Sequence, residues 1–304
     1  MGPSPRSRRR SRPKTMAGIK ELQQRITSVG NIKQITRAME MVATTKLRRF
    51  QDRALCSRPY AEEISGLVAR LSAVLGDAVA KRPLFNPGAG ERTLALVVTS
   101  DRGLCGAYNS SLLRTVEIWR EQHEREVDYL VYGRKGFAYM DRRDFQIERF
   151  IEDPPLEQVD YANAAITARM LVNEFESGKY HDVRLFYTAF ESMVKYRPCN
   201  VPFLPISGGD LETDDAIPSG ETLLEPDAAA IFDHLIPKYL ETRIFNALLE
   251  ALTSEYASRR FAMKNATDAA EDMQSELRGI YNRRRQEKIT KELLDIVGGA
   301  EAVK

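Results

Sequence analysis

The sequence predicts an α/β protein that carries one long helix at each end of the chain. Apolar residues recur at helical spacing through the first part, strands alternate with helices in the middle, and residues 238–297 contain no proline. We therefore expect α/β plus long helices, in which the N- and C-terminal helices form an intramolecular antiparallel coiled coil. A central Rossmann-like α/β domain on a mostly parallel sheet would lie between them in sequence.

The first segment, residues 16–75, is predicted to hold the N-terminal coiled-coil helix and a following helix. Its apolar stripe comprises Ile19, Leu22, Ile26, Val29, Ile32, Ile35, Met39 and Val42. The mean gap of the stripe is shorter than the 3.5 residues of a strict heptad seam. Pro59 is expected to end or kink the helix near residues 57–58, and a second helical run would cover residues 62–75.

The middle segment, residues 92–206, alternates between strand and helix patterns. The strand candidates are "TLALVVTS", "VDYLVYG", a weak "FQIERFI", "DVRLFYTAFES" and the proline-bounded "NVPFLPI". Helical patterns fall between them, at about residues 110–124, 134–142 and 156–177. Strands separated by helices of this length favour a mostly parallel sheet with helices on its faces.

The last segment, residues 226–304, is predicted to be the C-terminal coiled-coil helix, after an acidic linker at residues 207–225. Pro237 is expected to mark a break or a first turn. Beyond it Gly279 is the one glycine up to residue 297, and sixty helical residues would extend for about 90 Å. A helix of that length cannot lie wholly on a domain of this size.

The two long helices are each expected to bury an apolar stripe, and each offers the other a partner. On the last helix Ala266, Ala270, Met273, Leu277 and Ile280 follow one another at gaps of four and three, the register of a coiled coil. Two separate helices packed on the sheet are the alternative.

A charged interruption divides the last helix. Residues 282–288, "NRRRQEK", hold no apolar side chain, whereas the apolar residues Ile289, Leu293, Ile296 and Val297 follow. A solvated charged face is the plain interpretation of such a run. An apolar tip beyond it would promote aggregation unless a partner surrounds it, so we expect a partner there.

Composition excludes several functional classes. The net charge of +2 gives no sign of nucleic-acid binding, and residues 1–15 hold six basic residues and no acidic one. We expect those residues to form a disordered Arg-rich extension, with a mitochondrial presequence as the alternative. Three separated cysteines and three histidines offer no metal-ligand spacing and no local catalytic arrangement. No catalytic residue, cofactor or metal is therefore predicted.

The loop "TSDRGLCGAYN" supports a second hypothesis, a nucleotide-binding α/β enzyme with coiled-coil arms. A glycine-containing loop between a strand and a helix is where phosphates bind in many nucleotide enzymes. Gly103 and Gly106 are spaced G-x-x-G, however, which matches neither GxGxxG nor GxxxxGK[ST]. A tight turn with Asp101 or Asn109 capping the helix is the plainer interpretation. A coiled-coil scaffold is the third hypothesis.

Four motifs carry a resemblance to a known family. They are "MAGIKELQQRITSVGNIKQITRAMEMVATTKLRR", "SDRGLCGAYN", "SEYASRRFAMKNATDAAEDM" and "YNRRRQEKITKELLDIVGGAEAV". Each resembles a segment of the gamma subunits of F-type ATP synthases, in the same order and between Met16 and Val303. The chain has no cysteine between residues 207 and 225, so the regulatory insert of the chloroplast type is absent from that region.

The resemblance implies a central rotor shaft that is itself non-catalytic. In this family the shaft couples proton-driven rotation of the membrane c ring to conformational changes at catalytic sites on the beta subunits. The implied partners are the alpha and beta subunits, the epsilon subunit and the c ring, and nucleic acid is not among them. The implied location is peripheral, on the cytoplasmic side of the bacterial inner membrane, with the matrix side of the mitochondrial inner membrane as the alternative.

The resemblance also implies contact residues for coupling. The positions that match the family's contacts are Met39, Lys46, Arg259, Arg285, Gln286, Thr290 and Glu292. Arginine and glutamine side chains suit directional hydrogen bonds to acceptor groups on a partner. Core packing is the alternative for Met39, and a solvated helix face is the alternative for Lys46.

Overall fold

The computed structural model describes residues 18–193, 195–207 and 227–301, with side chains described up to residue 297. The predicted extension at residues 1–15 and, apart from Ser207, the predicted linker at 207–225 lie outside the described residues. The chain divides into two compact units, one of residues 1–38 and 264–304 and one of residues 39–263. The domain limits predicted from the sequence stay predictions.

The second unit contains a five-stranded sheet. Its strands are β1 (Arg92–Val98), β2 (Val127–Tyr132), β3 (Ile147–Ile151), β4 (Tyr180–Phe190) and β5 (Tyr196–Leu204). The spatial order is β3-β2-β1-β4-β5, and every neighbouring pair is parallel except β4 with β5. The predicted mostly parallel sheet is thus confirmed, and its strand order is that of a doubly wound nucleotide-binding fold.

Helices cover both faces of this sheet. They are α3 (Tyr108–Gln122), α4 (Arg134–Asp141) and α5 (Tyr161–Glu176), and a short α2 (Asp77–Ala80) precedes the first strand. Because side chains alternate along β1, Ala95 and Val97 pack with α3 and α4, whereas Leu94 and Leu96 belong to the core on the opposite face. That second core also contains α5 and the parts of the two long helices that belong to this unit.

The long helices are continuous through both of their prolines. Helix α1 covers Ile19–Leu75 and includes Pro59, and helix α6 covers Ala228–Glu301 and includes Pro237. The predicted helix end near residues 57–58 is therefore wrong, as is the predicted break or first turn at Pro237; a kink at Pro59, the other expectation there, stays a prediction. Each proline lacks an N–H group, so one backbone carbonyl in the preceding turn has no helical hydrogen bond. Both prolines are exposed, so water can bond to that carbonyl, and buried residues on either side of each proline hold the helix in place.

In the first unit the terminal parts of α1 and α6 pair in antiparallel orientation. Thr267 Oγ1 donates to Thr36 Oγ1 at 2.8 Å, Lys33 Nζ lies 2.8 Å from Glu271, and Gln274 Nε2 donates to the Ile26 carbonyl at 3.4 Å. Residue numbers fall on one helix as they rise on the other. The predicted antiparallel coiled coil within one chain is confirmed.

The seam of this pair differs from the predicted one. On α1 the buried and half-buried residues follow the predicted stripe as far as Val29 and then continue through Lys33 and Thr36. Ile32 and Ile35, which belong to the predicted stripe, are instead 52% and 59% exposed. On α6 it follows Thr267, Ala270, Gln274, Leu277, Tyr281 and Arg284. Both stripes alternate gaps of three and four, which is a heptad seam.

The predicted seam positions Met273 and Ile280 are 53% and 39% exposed, so the predicted register on α6 is wrong there. The apolar pattern could not reveal this seam, because polar residues occupy several of its positions. Thr36, Thr267 and Gln274 enter it through hydrogen bonds that they make to the opposite helix. Such bonds satisfy polar groups that would otherwise be costly to bury.

Candidate functional site

The loop between β1 and α3 is fixed by side chains that were expected to cap the helix. Asn109 Oδ1 accepts from the Ser100 amide at 3.0 Å, and the Asp101 carboxylate accepts from the amides of Arg134 and Leu156 at 3.2 and 3.3 Å. The N-cap residue of α3 is Ala107, and no side chain makes a capping hydrogen bond there. The predicted capping of α3 by Asp101 or Asn109 is therefore wrong. Asn109 bonds back to Ser100 within the loop, and Asp101 joins the loop to Arg134 and Leu156 elsewhere in the second unit.

Helix α6 fills the crevice where a doubly wound sheet ordinarily binds a ligand. That crevice lies beyond the carboxyl ends of the two strands at which the winding direction changes, here β1 and β4. The Tyr108 hydroxyl donates to the Ala251 carbonyl at 3.1 Å, Ser254 Oγ to the Thr188 carbonyl at 3.0 Å, and Ser258 Oγ to the Cys105 carbonyl at 2.7 Å. The glycine-containing loop thus serves as a docking surface for α6.

Gly106 illustrates how closely the loop approaches this helix. Its φ of +57° is in the left-handed region, and a Cβ atom there would lie 3.4 Å from Ser258 Oγ and 3.6 Å from Ala262 Cβ. Glycine adopts this backbone conformation without the steric penalty of other residues. A glycine of the loop that had suggested phosphate binding therefore has a role in packing α6.

Arg259 fastens α6 to the same loop from within the protein. Its Nη1 lies 2.6 Å from Glu255 Oε1, its Nη2 donates to the carbonyls of Arg102 and Gly103 at 3.2 and 3.4 Å, and the guanidinium lies 4.8 Å from the centre of the Tyr256 ring. Glu255 and Arg259 are both buried. Burial raises the pKa of Glu255 to about 7, although the charge of Arg259 and its hydrogen bond oppose the increase.

A second contact joins three parts of the chain through the carboxylate of Glu157. We call the three residues that form it, Lys46, Glu157 and Tyr256, the Glu157 junction. Glu157 lies between β3 and α5; Lys46 of α1 donates to its Oε2 at 2.5 Å, and the Tyr256 hydroxyl of α6 donates to its Oε1. Burial acts to raise the pKa of Glu157, but the bonds from Lys46 and Tyr256 outweigh it and lower that pKa. Both long helices are thereby tied to the sheet domain.

The seven residues singled out by resemblance fall into two groups. Lys46 and Arg259 contact Tyr256 and make bonds within the chain, and Met39 is half-buried. Arg285, Gln286, Thr290 and Glu292 are exposed on α6, where Glu292 lies 3.5 Å from Lys288. The structure brings Lys46 and Arg259 to one place; as contacts with a partner, all seven stay predictions.

Sequence reasoning missed Glu157, Glu255 and Tyr256. Glu255 and Tyr256 stand within the quoted motif "SEYASRR", so the motif itself was the available signal for them. Glu157 lies 111 positions from Lys46 in "PPLEQVD", a stretch with no pattern that would single it out. Its role depends on the folded arrangement alone.

The described residues contain neither a membrane-spanning helix nor a cluster of metal-ligating side chains. Within the described ranges, no helix carries an apolar stretch long enough to cross a membrane. Among the same residues, no three histidine, cysteine, aspartate or glutamate side chains are grouped so that they could hold a metal ion.

Comparison with known proteins identifies the family. Residues 18–303 match the family model described as ATP synthase. Curated relatives include the ATP synthase gamma chains of Dehalococcoides mccartyi strain BAV1, 36% identical, and Paracoccus denitrificans, 37% identical. Each match covers 95% of this chain and 100% of the relative.

Solved structures with the same fold come from such enzymes. A central stalk/c-ring chain of the Tetrahymena thermophila mitochondrial ATP synthase is 26% identical, with a TM-score of 0.59 over 76% of this chain and 99% of that chain. A Euglena gracilis mitochondrial ATP synthase chain, 19% identical, has a TM-score of 0.61 over 94% of both chains and shows the fold. Sequence and structure agree, and the chain belongs to the gamma-chain family of F-type ATP synthases.

Proposed function

We propose that this chain is the central rotor shaft of a proton-translocating F-type ATP synthase. In this function it couples rotation of the membrane c ring to conformational change at the catalytic sites of the alpha/beta hexamer. Each orientation of an asymmetric shaft favours a different conformation at each site, which is how a rotation drives a cycle of binding states. The chain supplies no catalytic group and binds no cofactor; the chemistry takes place on the beta subunits.

The observation that carries this proposal is the double attachment of the long helices to the sheet domain. A shaft that transmits torque needs its helices fixed to the part that receives the force. Glu157 holds Lys46 of α1 and Tyr256 of α6, and Arg259 holds α6 to the loop after β1. Buried, charge-assisted bonds resist displacement better than exposed ion pairs do.

The partners follow from the same assignment. We assign the exposed Arg285, Gln286, Thr290 and Glu292 to contacts with the alpha and beta subunits, together with Met39. Ile289, Leu293, Leu294, Ile296 and Val297 are exposed apolar residues that such a partner would cover. We assign epsilon and the c ring as further partners. We also assign the protein a peripheral place on the cytoplasmic side of a bacterial inner membrane, since the relatives at 36% and 37% identity come from bacteria.

The nucleotide-enzyme hypothesis has less support. The crevice it requires is filled by α6, whose Ser254 and Ser258 bond to backbone carbonyls there. A coiled-coil scaffold would explain the paired helices, but it leaves the match over residues 18–303 without a reason.

Reconstitution of the complex tests the rotor assignment. The full chain, carrying an affinity tag, is expressed with the alpha, beta and epsilon subunits of the same enzyme and purified by the tag. We expect alpha and beta to co-purify, and ATP-driven proton pumping to return when the complex is added to membrane vesicles that retain the c ring. Recovery of the chain without alpha and beta would contradict the proposal.

A further inference from the structure

A cleft of about 1240 Å³ lies within the second unit, between α1, α6 and the turn that joins β4 to β5. Its buried lining includes Leu47, Leu249 and Thr253, and its exposed lining includes Leu55 and Met193. Small-molecule sites are clefts that combine apolar surface with converging polar groups, and this lining offers both. The bonds of the Glu157 junction and of Arg259 do not involve its polar groups.

Among the described residues, one half-buried carboxyl group of this lining lacks a cationic partner. Glu250 is half-buried, and among the described residues no lysine or arginine lies within ion-pair distance of it. Burial raises the pKa of Glu250, and a backbone hydrogen bond from Phe190 and the more distant charge of Arg58 offset only part of that increase. Partial burial of a carboxylate without a cationic partner is unfavourable, and an incoming cation would relieve that cost.

The other charged groups of the cleft are satisfied or exposed. The charged lining consists of five acidic and four basic residues. Glu191 lies 2.5 Å from Lys195 and 3.3 Å from Arg197, Arg58 lies 3.3 Å from Glu62, and Arg260 donates to Met193 Sδ at 3.7 Å. Arg48, Asp52 and Glu63 are exposed to solvent, and Arg70 is half-buried.

We propose that this cleft binds an amphipathic ammonium ion, with Glu250 as its counter-ion and with its apolar body against Leu47, Leu249 and Phe190. The ammonium group donates to the carboxylate, and the apolar body leaves water. Because Leu47 is on α1 and Leu249 is on α6, the ligand touches both long helices. The proposal does not depend on the rotor function and can be tested on the full chain alone.

The test is calorimetric titration of the full chain with octylammonium chloride below its micelle concentration. Octanol has the same apolar body without a charge, and octanoate has the same apolar body with a negative charge. We expect octylammonium to bind saturably and to bind about tenfold more tightly than either, as a charge-assisted hydrogen bond in a partly buried site implies. Equal binding of octanol, or no saturable binding of octylammonium, would overturn the proposal.

Two variants locate the cation. Glu250→Gln is expected to weaken octylammonium binding about tenfold, and Glu250→Asp, which keeps the charge, to weaken it less. Glu63→Gln removes the same charge from an exposed position in the cleft lining and should leave the affinity within about twofold. Equal losses in Glu250→Gln and Glu63→Gln would refute Glu250 as the counter-ion. If Glu250→Gln does not fold, as circular dichroism would show, the order of the three ligands on the unmodified chain decides the question.

Discussion

Lys46 Nζ lies 2.5 Å from Glu157 Oε2, although 111 positions separate the two residues in sequence. The other oxygen of the same carboxylate accepts from the Tyr256 hydroxyl. Aromatic packing accompanies this contact, since the ring of Tyr256 lies 5.4 Å from the ring of Phe50. One side chain of the sheet domain therefore holds two helices that come from opposite ends of the chain.

The Glu157 junction should contribute measurably to stability. We expect a double-mutant cycle of Lys46→Met and Glu157→Gln to give a coupling free energy of about 1 kcal/mol, because the contact is partly buried and charge-assisted. The free energy of unfolding of the full chain is measured by urea denaturation for the two single variants and the double variant.

An exposed ion pair provides the control for this cycle. Arg134 lies 2.8 Å from Glu152, a similar distance, but both side chains are mostly exposed. Pairs of that kind contribute about 0–1 kcal/mol. A coupling at Lys46 and Glu157 no larger than that at Arg134 and Glu152 would show that the junction is not a fixed attachment.

Glu255 should make stability depend on pH near neutrality. Its pKa in the folded protein is about 7, raised mainly by burial, so the folded state holds a proton that the unfolded state has already lost. The stabilisation is fully present below the ordinary pKa of a glutamate and is lost as the pH rises to about 7 and beyond. The free energy of unfolding should therefore fall between pH 5 and pH 8 by more in the unmodified chain than in Glu255→Gln.

The comparison of slopes separates this effect from the loss of a partner for Arg259. Above about pH 7, Glu255→Gln also removes the counter-ion of a buried arginine, whereas below that pH the Glu255 carboxyl group is itself protonated and carries no charge. The additional fall in the free energy of unfolding with pH comes from titration of the Glu255 carboxyl group, which the variant lacks. Parallel stability curves for the two proteins would mean that Glu255 does not titrate in this window.

The parts of the fold that depend on local pattern were predictable from the sequence. The alternation of strand and helix in residues 92–206 gave the mostly parallel sheet, and helical spacing gave both long helices. The prolines misled the prediction, since propensity at one position is overridden when both flanks of a helix are buried. Phe50 and Ile64 are buried on either side of Pro59, and Ile236 and Tyr239 on either side of Pro237.

The site depended on relationships that no local pattern contains. Apolar spacing could not identify the seam, because Thr36 and Thr267 are buried by bonding to each other across 231 positions. Glu157 carries no signal in its own segment, and only the fold brings it to Lys46. Arg259 was found through a resemblance, but its bonds to the loop carbonyls could not be inferred from that resemblance.

Gly133 should tolerate no side chain. Its φ is +92°, and a Cβ atom would lie 2.2 Å from the Thr99 carbonyl oxygen. Gly178 has a similar φ of +80° with nothing within 4 Å of its Cβ position. We expect Gly178→Ala to cost about 1–2 kcal/mol for the left-handed backbone, and Gly133→Ala to cost more because the overlap adds to it. Equal losses in urea denaturation would mean that the Thr99 backbone yields to the added methyl group.

The antiparallel pairing of the terminal helices can be tested by crosslinking. Since Thr36 Oγ1 lies 2.8 Å from Thr267 Oγ1, cysteines at these two positions should have Cβ atoms close enough for a disulfide. The exposed Cys56 is replaced by serine in all variants. Mild oxidation of Thr36→Cys/Thr267→Cys should give a faster-moving band on a non-reducing gel. Ile35→Cys/Thr267→Cys should give no such band, because Ile35 is exposed. Efficient disulfide formation in this second pair would mean that a different face of α1 lies in the seam.

The exposed apolar residues near the end of α6 should matter for coupling and not for the fold. Leu293 and Ile296 are exposed in the isolated chain, so Leu293→Ser with Ile296→Ser should change the free energy of unfolding by no more than about 0.5 kcal/mol. In reconstituted vesicles the same variant should hydrolyse ATP but pump fewer protons for each ATP consumed, because the subunits that we propose to surround this part of α6 would lose an apolar contact. Ile118→Ser, an exposed apolar position on α3, is the matched control and should pump normally. Unchanged pumping in the double variant would remove this part of α6 from the coupling surface and would leave the exposed apolar residues there without a partner.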